Sequence, residues 1–427
     1  MRRFWLTIVL LVVALGGIGG YYGARAAEEL PPFRLVTLEG DAELAEPIAL
    51  NLVYGSRAES EFLRIDEAGS HYSTNQSVFD DLFRYNYRYP EVEALVEAHR
   101  GFMRGKLIGD YYTDEEWVLH AVIDYERVAK EQLDAYFELN WLKVDTGKSA
   151  GGRYRIEAMQ GLRGYANVIG LQRRDQELHV LVQYSGSNAS DEQHLGVLDY
   201  VVSTEDGGLL RTVPVYEATG MNANSSISAV GDNQVSHPDD YALLNVRIRE
   251  EEPESPSVTV SGNRIAVEAA PTASQYYSYR YETGELVPIT IEPDELVRSE
   301  AERTWQGLYY RDGVLTRLEQ ADGRIVLHRY DVTGQTEHSR TELQAEQFGD
   351  SMFYSPGLDG DRLYAVVSGD PYRSADGSFD REGIYVIVVD STSGELLYKG
   401  EVQYDGPAEE AAGHLAGLYS FNLYVRP

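Results

Sequence analysis

The stretch that decides the fold is Ile384-Tyr385-Val386-Ile387-Val388-Val389-Asp390-Ser391-Thr392-Ser393-Gly394-Glu395-Leu396-Leu397-Tyr398. An apolar run ends in a short polar turn that contains glycine, and a second apolar run follows. Val, Ile and Tyr favour strands, and glycine readily adopts the positive φ that hairpin turns require. The stretch therefore predicts a β-hairpin.

Related turns recur through the second half of the chain. Successive turns of each of two kinds lie 47 to 60 residues apart. They are found at Gly262, Gly313 and Gly360, each before an apolar run, and at Gly284, Gly334 and Gly394, each after Thr or Ser. A strand-rich period of this length is typical of stacked four-stranded sheets.

Two of these turns share a longer pattern, in which an apolar strand ends in Asp and a Thr-Gly-Glu-like turn follows. Tyr330-Asp331-Val332-Thr333-Gly334-Gln335 and Val389–Glu395 carry it, and Tyr281–Glu285 carries it without the Asp. Over roughly residues 160–405 the chain resembles the β-propeller repeats of extracellular and PQQ-type propellers. The resemblance implies an all-β fold and no activity. The Trp-containing signatures of PQQ-binding repeats are missing, so it implies no such cofactor.

The predicted fold is a β-propeller-like domain over residues 33–427. At a period near 50 residues, the chain has room for six to eight blades. A short helical insertion is expected near 76–106, where Pro90 precedes Glu91 and Glu93 and favours a helix start. The alternative is a pair of tandem β-sandwiches.

The N-terminal segment predicts export. Arg2 and Arg3 precede an uncharged span that ends before Arg25, about 31 Å long as a helix and therefore long enough to cross a bilayer. We expect residues 1–26 to be either a membrane anchor with its N-terminus inside the cell or a signal peptide cleaved near Ala26, followed by a linker at 27–32. Either version places the body outside the cell.

Composition excludes several classes of function. The formal net charge of −32 repels phosphate backbones, so nucleic acid is not an expected ligand. The absence of cysteine removes disulfides, thiolate metal sites and cysteine nucleophiles. The chain also lacks the His-Glu-x-x-His, Gly-x-Ser-x-Gly and dinucleotide-binding motifs.

One loop carries a candidate metal site. Asp376, Ser378, Asp380 and Glu382 place oxygen ligands at every second position around Gly377, as Ca²⁺ loops do. The spacing is not that of an EF-hand, and a solvated acidic loop explains the same residues. Ca²⁺ is the one cofactor that the sequence suggests.

Two functions remain open at this point. The first is a membrane-tethered, extracellular binding or sensor module for a protein or glycan ligand. The second is an extracellular carbohydrate-active hydrolase that uses paired carboxylates, which the sequence does not locate. The tyrosine pairs, such as Tyr111-Tyr112, place one ring on each face of a strand and suit either sheet packing or stacking on sugars.

Overall fold

The stretch from Ile384 to Tyr398 forms a hairpin in the computed structural model. Its strands are Ile384–Asp390 and Leu396–Tyr404, and Val386, Val388 and Val389 are fully buried. Asp390 Oδ1 organises the turn, because it accepts hydrogen bonds from the N–H groups of Thr392 and Ser393. These bonds lower the pKa of Asp390. Gly394 has a φ of 76°, a backbone conformation that glycine adopts without the strain that a side chain would add.

The structure describes residues 13, 16–17, 30–55, 60–73, 90–106, 108–129, 132–220, 225–230, 235–249, 258–261, 264–267, 272–290, 305–311, 313–321, 323–333, 336–369 and 383–425. In these ranges the chain is almost wholly β-strand. The strands are, in chain order, β1 Phe33–Gly40, β2 Ile48–Gly55, β3 Ser60–Asp66, β4 Gly69–Tyr72, β5 Asp110–Thr113, β6 Trp117–Ala129, β7 Gln132–Lys143, β8 Lys148–Arg155, β9 Arg163–Arg174, β10 Glu177–Ser187, β11 Gln193–Ser203, β12 Leu209–Thr219, β13 Ser226–Ala229, β14 Val235–Ser236, β15 Tyr241–Arg249, β16 Val258–Ser261, β17 Arg264–Val267, β18 Thr272–Arg280, β19 Glu285–Ile289, β20 Trp305–Arg311, β21 Val314–Ala321, β22 Arg324–Asp331, β23 Thr336–Gln344, β24 Met352–Asp359, β25 Arg362–Ser368, β26 Ile384–Asp390, β27 Leu396–Tyr404 and β28 Leu418–Val425.

Helices are few and short in the described ranges. They are α1 Pro90–Ala98, α2 Arg100–Met103 and α3 Ala408–Ala416, with 3₁₀ turns at Ala42–Ala45, Glu157–Met159 and Ala345–Phe348. Val92, Leu95 and Met103 of the first two helices pack with Tyr111 and Val118. These helices therefore cover one face of the β5–β6 hairpin.

The described strands form six sheets of four or five strands and one separate hairpin, β16–β17. Neighbouring strands within a sheet are antiparallel, with one exception: β14 runs parallel to β5. In hydrogen-bonded order, the sheets are I (β28-β2-β3-β4), II (β14-β5-β6-β7-β8), III (β9-β10-β11-β12), IV (β13-β15-β18-β19), V (β20-β21-β22-β23) and VI (β1-β27-β26-β25-β24).

Hydrophobic clusters join five pairs of neighbouring sheets in the described part of the chain. One cluster draws on sheets II and III, and others on III and IV, IV and V, V and VI, and VI and I. Within sheet III, for example, Val180 faces sheet II and Leu181 faces sheet IV. Sheets III to VI therefore bury both faces, whereas a sheet in a two-layer sandwich buries only one.

Strands from early and late in the sequence pair with each other in sheets I and VI. The last strand, β28, pairs with β2 and supplies the first strand of sheet I, from Ile48↔Val425 to Tyr54↔Leu418. Strand β1 pairs with β27 at the opposite edge of sheet VI. Sheets I and VI are therefore both completed by strands from the far end of the sequence.

The all-β class is confirmed, but the predicted localisation is contradicted. In the part of the chain that the structure describes, no helix is long and apolar enough to cross a bilayer. The longest α-helices there have 9 residues, against the roughly 20 that a membrane span needs. Of the segment 1–26, only Val13, Gly16 and Gly17 lie among the described residues.

Candidate functional site

The two ends of the sheets are built differently. Each sheet contains a run of four antiparallel strands: β28-β2-β3-β4, β5–β8, β9–β12, β13-β15-β18-β19, β20–β23 and β24–β27. Because the strands of a run alternate in direction, the turns after its first and third strands lie at one end, and its other strand connections begin at the opposite end. The turns at the first end are mostly two to five residues long, as at 114–116, 175–176 and 360–361. The strands that end at the opposite end are followed in the sequence by longer connections, numbered 73–109, 156–162, 220–225, 250–271, 290–304, 345–351, 369–383 and 405–417, of which the structure describes only part.

Ion pairs and hydrogen bonds between neighbouring sheets hold the short-turn end together. Arg173 Nε of sheet III lies 2.9 Å from Asp114 Oδ2 of sheet II. Arg311 Nη1 of sheet V lies 2.7 Å from Asp359 Oδ1 of sheet VI, and Arg329 Nη2 lies 2.6 Å from Asp361 Oδ1. This end is therefore fixed from sheet to sheet by charged groups.

Asp114 shows how strongly this end is organised. Burial alone would raise its pKa, but hydrogen bonds from Tyr112, Arg173 and the N–H groups of Glu116 and Trp117 outweigh burial and lower it. The carboxylate is therefore a structural acceptor that stays ionised. Because its oxygens already accept these hydrogen bonds, they have little remaining capacity to bind a ligand.

Residues 235–240 connect four sheets at the same end. Strand β14, which follows β13 of sheet IV, pairs with β5 of sheet II. Gln172 Nε2 of sheet III donates to the carbonyl of His237 at 2.6 Å, and the N–H of Asp239 donates to Gln172 Oε1 at 3.2 Å. The Tyr310 hydroxyl of sheet V donates to Asp239 Oδ1 at 2.8 Å. These contacts stabilise the assembly of sheets and present no chemistry of their own.

At the long-connection end lies Asp110, whose pKa departs furthest from its ordinary value among the carboxyl groups of the described residues. Asp110 is the first residue of β5, directly after the connection 73–109. Burial raises its pKa from 3.8 to about 7. In the described part of the chain its carboxyl group has neither a hydrogen bond nor an ion pair. A carboxyl group with a raised pKa and no partner among the described residues is a candidate for binding or proton transfer.

Strands at the start of several neighbouring sheets contact one another, and β5, which begins with Asp110, is one of them. Strand β5 contacts β9, β9 contacts β13, and β24 contacts β28. The Tyr309 hydroxyl of β20 donates to the Pro356 carbonyl of β24 at 3.0 Å, and the Leu423 N–H of β28 donates to Ser355 Oγ at 2.9 Å. Asp110 therefore starts a strand that adjoins the first strand of the next sheet.

His120 lies on the neighbouring strand but does not pair with Asp110. Its Nε2 contacts the Ile108 carbonyl at 2.9 Å, and its ring packs 5.2 Å from that of Tyr111. His120 is the cross-strand partner of Tyr111, whereas Asp110 is opposite Ala121. Successive residues of a strand point to opposite faces, so the two groups do not form a dyad. Burial lowers the pKa of His120, which favours the neutral ring.

A cluster of three polar side chains is buried between sheets III and IV. His179 Nδ1 lies 2.8 Å from Asp199 Oδ2, and the Tyr279 hydroxyl donates to the same oxygen at 2.8 Å. All three side chains are almost completely inaccessible to solvent. Because these three groups are buried from solvent, the network specifies the packing of two sheets and is not placed to meet a ligand.

The candidate Ca²⁺ ligands Asp376, Ser378, Asp380 and Glu382 lie outside the described residues. Within the described ranges, no group of three or more His, Asp or Glu side chains is arranged to hold a metal ion. Tyr111 and Tyr112 are at most 1% exposed, so this pair packs the sheet and does not offer a surface for sugars.

Sequence reasoning missed Asp110. It lies between Gly109 and the Tyr111-Tyr112 pair, and nothing in its sequence neighbourhood separates it from the other acidic residues of the chain. Asp110 is only half-buried, yet the surrounding elements remove enough water from its carboxyl group to raise its pKa.

Comparisons with known proteins give no family. No family model matches the chain, and no curated protein matches it either. Among solved structures, an ACO/RPE65 chimera (D477G) is 8% identical over 95% of this chain and 98% of its own, with a TM-score of 0.42. Cobalt-substituted ACO from Synechocystis is 10% identical over 72% of this chain, with a TM-score of 0.34, and the match spans 61% of its length. The Dos1 propeller is 8% identical over 71% of this chain and 75% of its own, with a TM-score of 0.26.

Proposed function

We propose that the protein is a six-bladed β-propeller that acts as a binding module. Sheets I to VI would be the blades, and β28 would close the ring by completing sheet I. Two observations support this architecture: shared hydrophobic clusters join sheets II to VI in series and sheet VI to sheet I, and β5 contacts β9, β9 contacts β13 and β24 contacts β28. In such a ring, a ligand meets the loops at one end of the blades.

The ligand would bind at the long-connection end, around Asp110. At the opposite end, Arg173, Arg311 and Arg329 are already paired with carboxylates of neighbouring sheets. Asp110 has no partner in the described ranges, and this observation carries the proposal. A ligand that hydrogen-bonds to its carboxyl group would replace the water that burial removed.

The ligand class that fits this carboxyl group best is a neutral glycan. With a pKa of about 7, Asp110 is present in both the protonated and the ionised form near neutral pH. The protonated form donates one hydrogen bond and the ionised form accepts several, and sugar hydroxyls can do both. A phosphorylated ligand would be opposed by the net charge of −32.

The test is binding of neutral oligosaccharides, screened on an array and measured by calorimetry. We expect Asp110→Ala to weaken binding about 10-fold or more, as the loss of a buried hydrogen bond would. The matched control is Asp145→Ala, which removes an exposed carboxylate from the short-turn end. Equal affinities of the wild type and Asp110→Ala would refute the site.

A hydrolase is the second candidate, favoured by the pKa of Asp110 alone. A general acid works best when its pKa is near the working pH. Glycoside hydrolysis also needs a second carboxylate within about 10 Å. Burial is the only cause of the raised pKa of Asp110, so this pKa gives no support for a second carboxylate close to it. Release of nitrophenol from aryl glycosides, lost in Asp110→Asn, would favour the enzyme over the binding module.

A further inference from the structure

The residues that lead into β5 are held through their backbone carbonyl groups. The Tyr111 hydroxyl donates to the Lys106 carbonyl at 2.7 Å, and His120 Nε2 donates to the Ile108 carbonyl at 2.9 Å. A carbonyl oxygen only accepts hydrogen bonds, so this contact places a hydrogen on Nε2 of His120. Tyr111 and His120 are cross-strand partners, and their ring centroids are 5.2 Å apart. One face of the β5–β6 hairpin therefore supplies both donors.

The side chains of this segment provide little anchorage of their own. Ile108 is 73% exposed, and Gly109 has no side chain. At Gly109, where φ is 135°, a Cβ would lie 2.4 Å from the Ala121 carbonyl oxygen and 2.8 Å from His120 Nε2. The His120 ring thus occupies space that a side chain at residue 109 would need. Among the hydrogen bonds of the described residues, the one from His120 holds the carbonyl of residue 108 in place.

His120 is suited to this contact because its ring is buried and neutral. It is 3% exposed, and burial lowers its pKa. Within the described ranges its Nδ1 has no hydrogen-bond partner. A second proton on that nitrogen would therefore be buried without an acceptor, which is unfavourable. The hydrogen bond that this ring makes to the described residues goes to the backbone just before Asp110.

The residues that His120 holds adjoin the candidate site. Asp110 follows Gly109 directly and pairs with Ala121, the residue after His120. An extended chain advances by at most about 3.6 Å per residue, so the Cα atoms of Ile108 and Asp110 are at most about 7 Å apart. Asp110 is half-buried, so its carboxyl group depends on nearby elements for shielding from water. Ile108 and Gly109 are the nearest of these along the chain.

We propose that His120 is a positioning residue of the candidate site: it holds Ile108 and Gly109 against β6, and these residues keep water from the Asp110 carboxyl group. His120 acts through the backbone and not on the ligand, because its side chain lies on the opposite face of the hairpin from that of Asp110. The part that this carboxyl group plays in binding rests on the proposed function, whereas the effect of His120 on Asp110 is measured in the protein without ligand.

The test is a ¹³C NMR titration of the full chain, labelled at the aspartate carboxyl carbons. The Asp110 signal is identified by its loss in Asp110→Asn. We expect His120→Ala to lower the pKa of Asp110 from about 7 to below about 6, because the released backbone would admit water to the carboxyl group. His120→Gln keeps a side-chain N–H for the Ile108 carbonyl and should restore a pKa near that of the wild type. An unchanged pKa in His120→Ala would overturn the proposal.

Two further variants separate positioning from a general loss of stability. His179→Ala is the matched control, because it also removes a buried histidine, but from sheet III. It should leave the pKa of Asp110 unchanged, and an equal lowering by His179→Ala would count against the proposal. If His120→Ala does not fold, His120→Leu removes the donor while filling most of the same space. It should lower the pKa of Asp110 in the same way, and an unchanged pKa would refute the role of the hydrogen bond.

Hydrogen–deuterium exchange provides an independent readout of the anchored backbone. In His120→Ala, the amides of the peptide that contains Ile108 and Gly109 should exchange at least about 10-fold faster than in the wild type. In His179→Ala their exchange should not change. Equal exchange in His120→Ala and the wild type would contradict the anchoring of this segment.

Binding of neutral oligosaccharides links the positioning residue to the proposed function. His120→Ala should weaken binding about 5-fold, and His120→Gln should restore it. If Asp110→Ala weakens binding and His120→Ala does not, His120 has no role in the site. If Asp110→Ala leaves binding unchanged, the proposed function fails, and the NMR titration still decides whether His120 positions Asp110.

Discussion

Replacing Asp110 with Asn should stabilise the protein, and increasingly so as the pH rises. The substitution keeps the size and shape of the side chain but removes its ability to ionise. In the folded protein the Asp110 carboxyl group releases its proton at about pH 7, and in the unfolded chain near pH 3.8. Because the folded-state pKa is the higher one, the folded state binds this proton more tightly. Asp110 therefore lowers the free energy of unfolding progressively as the pH rises from about 4 to 7.

The size of the effect follows from these two pKa values. At pH 5 the unfolded chain has already ionised at this position, and the cost to stability is about 1.5 kcal/mol. At pH 8 the folded state must ionise as well, and the cost reaches about 4 kcal/mol. The advantage of Asp110→Asn should thus grow by about 2.5 kcal/mol between pH 5 and pH 8. Any effect of the amide that does not depend on pH cancels in this difference.

The measurement is urea denaturation of both proteins at pH 5 and pH 8, followed by tryptophan fluorescence. Asp145→Asn is the control, because it makes the same chemical change at a carboxylate that is exposed in the β7–β8 turn. A difference between wild type and Asp110→Asn that stays constant with pH would refute the burial of this carboxyl group. The candidate site would then lose its main support.

Three further perturbations test how the sheets are held together. Arg173→Ala should cost about 1 to 3 kcal/mol at pH 7, because Asp114 loses a partly buried donor. In urea titrations this cost should shrink below about pH 4, because Asp114, whose pKa is lowered in the fold, stabilises the folded state only while its carboxylate is ionised. The same cost at pH 3 as at pH 7 would contradict the ion pair. Tyr279→Phe should cost about 1 to 2 kcal/mol in the same assay by removing a buried donor to Asp199, and no change would show that this bond is dispensable. Truncation after residue 417 removes β28 and exposes the hydrophobic cluster of sheet I, so the near-ultraviolet circular dichroism signal should be lost. Removal of residues 426–427 alone is the control and should preserve the signal.

The sequence by itself determined the local structure of much of the chain. The apolar alternation and the Asp390 to Gly394 turn predict the hairpin at Ile384–Tyr398, because strand periodicity and turn chemistry act over a few residues. The all-β class follows from many such segments. Composition alone also excluded thiolate chemistry, since the chain has no cysteine.

Tertiary structure decided the order of the strands and the candidate site. The pairing of β28 with β2 and of β1 with β27 joins residues more than 350 positions apart, and no local pattern specifies such partners. The pKa of Asp110 is raised because neighbouring elements remove water from its carboxyl group, although Asp199 and Glu319 are less exposed than Asp110. Desolvation is a property of the assembled sheets, so it raises the pKa of one aspartate and leaves no trace in the sequence.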